Sequence, residues 1–221
     1  MLNKKLEELK QKLVSEALLA EKMTRDSVDG LIKKDEDMLN EVINRMENEI
    51  NSSEVEIDEM GTALIALYQP EAGDLRTILT ILKINSDLER IGDLAVNIAQ
   101  SSLYLIKQPP VKPLIDIPRM AEETTMMLHD AITSFINRDT QKARNVCKRD
   151  YIVDSLRDQI LRELITYMTG NPSTIERAIH LIRISRSLER IGDLSTNICE
   201  NTVYMAEGKI IKHNLGQNDD Q

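Results

Sequence analysis

Hydrophobic residues recur at helical spacing along most of the chain. In the first segment Leu6, Leu9 and Leu13 are followed by Met23 and Val28, with charged residues between them. Residues three and four positions apart lie on one face of an α-helix, so this pattern predicts an amphipathic helix. The sequence lacks strand patterns, and its few Gly, single Phe and lack of Trp are typical of long-helix proteins. We therefore predict an all-α fold.

The breaks in this periodicity predict six helices. Pro70 ends one segment, because proline disfavours helix at the residue before it, and the Gly-Asn-Pro corner at 170–172 ends another. Four of the six prolines fall between positions 109 and 118, and no helix continues through such a run. The predicted helices cover residues 2–33, 38–68, 74–107, 119–137, 139–168 and 172–207.

One seven-residue segment occurs twice. Residues 88–94 and 188–194 both read Leu-Glu-Arg-Ile-Gly-Asp-Leu, a shift of 100 positions, and at the same shift Glu54 falls on Asp154 and Asp58 on Asp158. Such repetition indicates an internal duplication. We predict two tandem three-helix bundles. The first repeat covers residues 1–108, a Pro-rich linker 109–118, the second repeat 119–208 and a polar tail 209–221. Within the tail, residues 212–221 are expected to be frayed or disordered.

The repeated acids share the apolar stripe of their helices. On a helical wheel Glu89 and Asp93 lie about 40° apart, in line with Ile78 and Val96. Four carboxylates that meet from two such helices repel one another by on the order of 12 kcal/mol, as much as the whole stability of a domain. A bound metal is the simplest solution, and an all-oxygen shell suits Mg, Ca, Mn or iron.

Other features of the same helices bear on this hypothesis. Asn51, Asn97 and Asn197 could add oxygen ligands, and a glycine inside each repeated segment, Gly92 and Gly192, suggests close helix approach beside the acids. The alternative interpretation is that the acids are solvated and form ion pairs. The candidate basic partners are Arg90, Arg190, Lys83 and Arg186.

Charge and composition exclude several classes of function. The net charge of −9 argues against nucleic acid and anionic membranes as ligands, because a polyphosphate partner needs clustered cations. The sequence has no apolar run long enough to span a bilayer and no secretory signal, which predicts a cytoplasmic protein without direct membrane insertion. Cys147 and Cys199 lack CxxC spacing and are predicted to be buried free thiols.

Two other functions are weighed against a metal-binding regulator. A carboxylate-bridged di-iron enzyme uses Glu-x-x-His, and no His lies three or four residues after any paired acid. His129, His180 and His213 are instead expected in the core or on the surface. The other alternative is a metal-free helical adaptor with acids as docking charges. No P-loop, G-x-S-x-G or H-E-x-x-H motif is present, so we predict that the chain is not an enzyme.

The chain closely resembles the PhoU family of phosphate-signalling regulators. The resemblance rests on the two Glu-Arg-Ile-Gly-Asp segments, on Glu-Val-Glu-Ile-Asp at 54–58, and on the Gln69-Pro70 corner followed by Asp-Leu-Arg at 74–76. Residues 164–168 and Asn-Ile-Cys-Glu at 197–200 extend it over nearly the whole chain. It implies a cytosolic, often dimeric, all-α protein of two similar three-helix bundles.

The resemblance also implies two multinuclear metal clusters, with iron first and Mn, Mg, Ca, Zn or Ni as further candidates. It places Glu54, Asp58, Glu89 and Asp93 at one site and Asp154, Asp158, Glu189 and Asp193 at the other. The implied supporting ligands are Glu47, Asn51, Asn97, Asp150 and Asn197. Asp154 is shorter than Glu54, which could change the number or identity of the ions.

The function implied by the resemblance is negative regulation of phosphate uptake and of phosphate-starvation signalling. The implied partners are the phosphate-specific (Pst) ABC transporter and a PhoR-type histidine kinase. The implied assembly is a homodimer.

Overall fold

Helices make up nearly all of the described chain. The computed structural model describes residues 1–209, which contain no strand. The α-helices are α1 (Leu2–Lys33), α2 (Glu36–Glu41), α3 (Glu47–Tyr68), α4 (Ala72–Ile106), α5 (Asp116–Asn137), α6 (Thr140–Gly170) and α7 (Ile175–Glu207). A π-helical segment, Val42–Met46, joins α2 to α3, and a 3-10 turn, Pro172–Thr174, precedes α7. The predicted all-α fold is confirmed.

The helices form two three-helix bundles. In the first repeat α1, α3 and α4 pack together, and in the second α5, α6 and α7 do so. The bundles meet where α4 packs on α7 and α1 on α5. Equivalent residues of the duplicated segment, Leu88 with Leu188 and Ile91 with Ile191, are fully buried in one apolar core that spans both repeats. The predicted tandem arrangement is confirmed.

The same corner turns the chain after the first helix of each repeat. Lys34 and Arg138 adopt the left-handed conformation that ends a helix. The next residue begins the following helix, because the Asp35 carboxylate accepts a hydrogen bond from the Met38 amide at 3.0 Å and Asp139 accepts one from the Lys142 amide at 2.9 Å. A duplicated turn therefore sets the antiparallel path in both bundles.

Several predicted boundaries differ from those in the structure. The fourth long helix, α5, begins at Asp116 rather than at 119, so Pro118 lies in its first turn, where a proline removes no helical hydrogen bond. Helix α4 begins at Ala72 rather than at 74, and α6 continues to Gly170 rather than ending at 168. The predicted disordered stretch 212–221 lies outside the described residues.

The predicted continuous helix 38–68 is interrupted by the π-helical segment. From Asp35 to Glu54 the first repeat advances 19 positions, whereas the second advances 15 from Asp139 to Asp154. The four additional residues slightly exceed one α-helical turn. The wider π turn lies within this stretch, where Val42, Met46 and Ile50 are buried at spacings of four. The inserted turn thus keeps an apolar face on the bundle.

Two further expectations concern membrane spans and cysteines. In the described part of the chain, no helix combines the length and apolarity needed to cross a membrane. Cys147 on α6 and Cys199 on α7 are both buried and free, as predicted.

Candidate metal centres

The paired acids lie on two close helix contacts. Between α3 and α4, a Cβ atom added to Gly92 would lie 3.0 Å from Ile50 Cδ1, so Gly92 permits this approach. Between α6 and α7, the corresponding atom on Gly192 would lie 3.4 Å from Asp150 Oδ1. The predicted close approach is therefore tighter in the first repeat, and the position opposite the glycine is apolar there and acidic in the second.

The first acidic set consists of Glu54 and Asp58 on α3 and Glu89 and Asp93 on α4. Burial, together with the negative charges of Asp93 and Glu54, raises the pKa of Glu89 above its ordinary value. Buried Asn85 on α4 donates hydrogen bonds to Asp58 Oδ1 at 3.1 Å and to the Glu54 carbonyl at 2.9 Å. The amide oxygen of Asn85 is buried and has no hydrogen-bond partner among the described residues.

Glu16 on α1 adds a fifth carboxylate to this set. Its side chain is 1% exposed, and Ser53 Oγ donates a hydrogen bond to its Oε2 at 3.1 Å. Its Oε1 is buried without a partner in residues 1–209. Burial, with the charges of Glu54, Asp58 and Glu89, raises the pKa of Glu16 to about 8, against the smaller lowering by Ser53.

Sequence reasoning missed Glu16 although a signal was present. Glu16 follows Leu9 and Leu13 and precedes Ala20 on the buried face of α1, so it is an acid on an apolar stripe. It stands outside the duplicated motifs: counted from the shared corner at Lys34 and Arg138, its counterpart in the second repeat is Met120. Comparison of the repeats at a single shift therefore could not find it.

The second acidic set consists of Asp154 and Asp158 on α6 and Glu189 and Asp193 on α7, with Asp150 one turn before Asp154. Burial and the charges of Asp193, Asp154 and Glu189 raise the pKa of Asp150 to about 6. Burial, Glu189 and Asp154 also raise the pKa of Asp193, against lowering contributions from Arg157 and Arg190. Asp150 thus lies close to the paired acids of this set, and its role as a supporting ligand stays a prediction.

Arg157 provides an internal counter-charge in the second set. Its guanidinium lies 2.5 Å from Glu189 Oε1, 2.9 Å from Asp158 Oδ1 and 3.6 Å from an Asp154 oxygen. The corresponding position of the first repeat is Ile57, which is buried and apolar. The second set is therefore partly neutralised by the chain itself. Arg157 was not among the predicted ion-pair partners. Of the predicted partners, Arg90 forms an ion pair with Asp87, at 4.0 Å, which is not one of the paired acids.

The other predicted supporting ligands are spread along the same helices. Glu47 and Asn51 precede Glu54 on α3, and Asn51 is exposed. Asn197 is half-buried on α7, whereas Asn97 lines a cavity between α4 and α7 beside arginines. Their role as ligands stays a prediction.

The acids of both sets are more exposed to solvent than their positions on a helical wheel predict. Asp58, Asp93, Asp158 and Asp193 are all exposed, because they lie at the edge of the apolar stripe. Among residues 1–209, no group of three or more Asp, Glu, His or Cys side chains stands in an arrangement that would hold an ion. Ion binding therefore requires the exposed carboxylates to turn toward the half-buried members of each set and, in the first set, toward buried Glu16.

The histidines lie away from these sets. His129 is exposed and contacts Glu21 at 3.2 Å, whereas His180 stacks on Tyr104 with ring centroids 4.2 Å apart. His213 lies outside the described residues. Neither described histidine takes the Glu-x-x-His position of a di-iron carboxylate centre.

Comparison with known proteins identifies the family. The model of the PhoU domain matches residues 13–102 and 117–202. A phosphate-specific transport system accessory protein PhoU homolog from Aquifex aeolicus is 42% identical over 95% of each chain, and PhoU homolog 2 from Thermotoga maritima is 36% identical over 96% of this chain and 90% of that one.

Solved structures give the same result. The crystal structure of PhoU from Pseudomonas aeruginosa matches with a TM-score of 0.91 and 34% identity, over 95% of this chain and 100% of that chain. The phosphate transport system regulatory protein PhoU from Streptococcus pneumoniae matches with a TM-score of 0.87 and 27% identity, over 95% and 99%. The chain therefore belongs to the PhoU family, whose members are accessory and regulatory proteins and not enzymes, as the sequence predicts.

Proposed function

We propose that this chain is an accessory protein of a phosphate-specific transport system and negatively regulates phosphate uptake and starvation signalling. The observation that carries the proposal is its match to PhoU in both repeats and over nearly its whole length, because these relatives are named as accessory proteins of the phosphate-specific transport system. The proposed site of action is the cytoplasm. The proposed partners are the Pst ABC transporter and a PhoR-type histidine kinase, with the chain acting as a homodimer.

The proposed cofactors are divalent or trivalent metal ions, with iron first, at both acidic sets. Two buried oxygen atoms in the first set support this proposal. Glu16 Oε1 and Asn85 Oδ1 have no partner in the described chain and lie beside Glu54 and Asp58. Buried polar atoms normally have a partner, and a hard cation would satisfy both oxygens and the carboxylates. When bound, the metal would supply cross-linking charge between helices and no reaction.

The two sets are proposed to differ in their need for metal. The first set has five acids, including Glu16, and no cation in contact with them among the described residues. The second set has five acids and Arg157 among them. Since a cation in the site competes with a metal ion, the first set should bind metal more tightly. The Arg157 contacts also support a metal-free, purely electrostatic role for the second set.

Removing the gene tests the regulatory role. Cells without the chain should take up more phosphate and produce more alkaline phosphatase in phosphate-rich medium, because the negative regulator is lost. Radioactive phosphate uptake and phosphatase activity are the measurements, with a plasmid copy of the gene as control. Unchanged uptake together with unchanged phosphatase would contradict the proposal.

Neutral isosteres test the two metal sites separately. Glu89→Gln with Asp93→Asn should remove the ions of the first set alone, and Glu189→Gln with Asp193→Asn those of the second alone. Metal content is measured by mass spectrometry after equilibration with Fe(II) or Mn(II). Glu56→Gln, an exposed acid paired with Lys12, is the matched control and should change nothing. If both double variants keep the metal content of the wild type, the site assignment is wrong.

Glu16→Gln should have opposite effects with and without metal. The folded-state pKa of Glu16, about 8, lies above the ordinary value of 4.5, so its burial costs stability as pH rises from about 5 to 8. In metal-free protein the variant should therefore be more stable than wild type at pH 8, by about 4 kcal/mol, with a much smaller difference at pH 5.

With metal present, Glu16→Gln should bind ions more weakly at the first set because one carboxylate is lost. Urea unfolding at both pH values, with chelator and with metal, measures both effects. A variant that is less stable than wild type at pH 8 in chelator would show that Glu16 is not a source of uncompensated charge.

Arg157→Gln should strengthen metal binding at the second set. Removing a positive charge that contacts Glu189 and Asp158 should raise the affinity for divalent ions about tenfold there and leave the first set unchanged. Titration of the Glu89→Gln/Asp93→Asn protein, with and without Arg157→Gln, isolates the second set. Equal affinity in the two titrations would favour the metal-free role for this set.

A further inference from the structure

A cavity of about 630 Å³ lies between α4 and α7, where the two repeats meet. Arg183, Arg186 and Arg190 of α7 line one wall, and Asn97 and Gln100 of α4 line the other. The arginines follow one another at spacings of three and four and therefore share one helix face. The cavity has the volume of a small-molecule site.

The cavity concentrates positive charge on a chain whose net charge is −9. Its lining contains three arginines and no Asp or Glu. None of the three arginines forms a hydrogen bond or an ion pair within the described residues, although the charge of Arg190 reaches Asp193 and lowers its pKa. The net negative charge of the whole chain argues against a polyphosphate partner, but charge is distributed unevenly over the molecule. In this cavity three guanidinium groups are free to bind an anion.

The duplication provides a comparison within the same chain. One hundred positions away, the equivalents of Arg183 and Arg190 are Lys83 and Arg90, and Arg186 is replaced by Ser86. On this equivalent side of the junction two acids balance the positive charge. Asp87 stands where the cavity has Ser187, and Glu200 stands where it has Gln100.

Contacts within the chain also occupy that side. Arg90 pairs with Asp87 at 4.0 Å, and Lys83 lies over the Tyr204 ring. The cavity side therefore lacks both acids of this pattern and has one more basic residue than the equivalent side. Duplication alone explains a copied pattern, and it does not explain why arginines without an ion pair in the described chain accumulate on one side.

One end of the cavity is formed by His180. Its ring stacks on Tyr104, and its Nδ1 atom is buried without a partner in the described part of the chain. Glu176, one turn earlier on α7, interacts with Tyr104 and does not line the cavity. The ring nitrogen is a further polar atom available to a ligand that enters between the helices.

We propose that this cavity binds a small molecule carrying two or more linked phosphate groups. Seven residues of helix separate Arg183 from Arg190, a distance of about 10 Å, which exceeds a single phosphate and suits an oligophosphate chain. Arginine binds phosphate oxygens in a bidentate manner, and the amides of Asn97 and Gln100 donate hydrogen bonds from the opposite wall. A ligand held in this way contacts both repeats at once.

The cavity contains none of the eight paired acids, although Asn97 is a predicted supporting ligand and the charge of Arg190 reaches Asp193. The proposal does not require metal to be bound. The test therefore uses full-length protein stripped of metal, which also prevents the probe from binding as a metal chelate. Failure of the metal proposal would leave the result unaffected.

The probe is inorganic tripolyphosphate, titrated by calorimetry at low salt. Wild type should bind one tripolyphosphate per chain, at least about tenfold tighter than orthophosphate or sulfate, and binding should weaken as salt is added. Arg183→Gln with Arg186→Gln should reduce the affinity by about tenfold or more for each arginine removed. Both side chains are exposed, and unchanged circular dichroism and melting temperature establish that the variant folds.

Lys83→Gln is the matched control on the equivalent side and should leave the affinity within about twofold of wild type. The proposal is overturned if the double variant binds like wild type, if Lys83→Gln weakens binding as much, or if orthophosphate binds as tightly as tripolyphosphate. Co-sedimentation with phosphatidylglycerol vesicles provides a second arm. Binding to vesicles without binding to tripolyphosphate would also overturn it, because the arginines would then recognise a lipid surface.

Discussion

Negative charge at the edge of two tightly packed helix pairs is the constraint on which this structure depends. The helices must approach closely, as at Gly92 and Ile50, to bury their isoleucine and leucine faces. The same approach brings carboxylates from both helices toward one another, and burial makes their charges costly. The raised pKa values of Glu16, Glu89, Asp150 and Asp193 all express this conflict.

The two repeats meet the constraint in different ways. The first adds an acid from α1 and leaves buried oxygens of Glu16 and Asn85 without a partner in the described chain, which is the situation that a bound cation would relieve. The second places Arg157 among its acids and so supplies positive charge itself. At the junction of the repeats one side carries Asp87 and Glu200, whereas the other has no acid in its lining and three arginines without an ion pair in the described chain. A duplicated scaffold thus carries three electrostatically distinct surfaces.

Much of the fold could be predicted because its signals are local. Helical periodicity and proline breaks give the number of long helices. The repeated heptad indicates that the pairing of α3 with α4 has an equivalent in the pairing of α6 with α7. The boundaries near Pro118 and the π-helical turn were missed, since a first-turn proline and an inserted turn both keep the apolar period almost intact.

The sequence by itself determined the duplication, the all-α architecture and the eight paired acids, because each follows from spacing along one helix. Only the tertiary structure decided which other side chains accompany those acids. Counted from the shared corner, Glu16 corresponds to Met120, and at the repeat shift Arg157 corresponds to Ile57. The contact of Glu16 with Ser53 depends on the packing of α1 on α3, and the contact of Arg157 with Glu189 depends on the packing of α6 on α7. The arginine cavity likewise needs two helices from different repeats. The spacing of residues within one helix can be read from the sequence, whereas the charge balance at a contact between helices depends on segments that lie far apart in the chain.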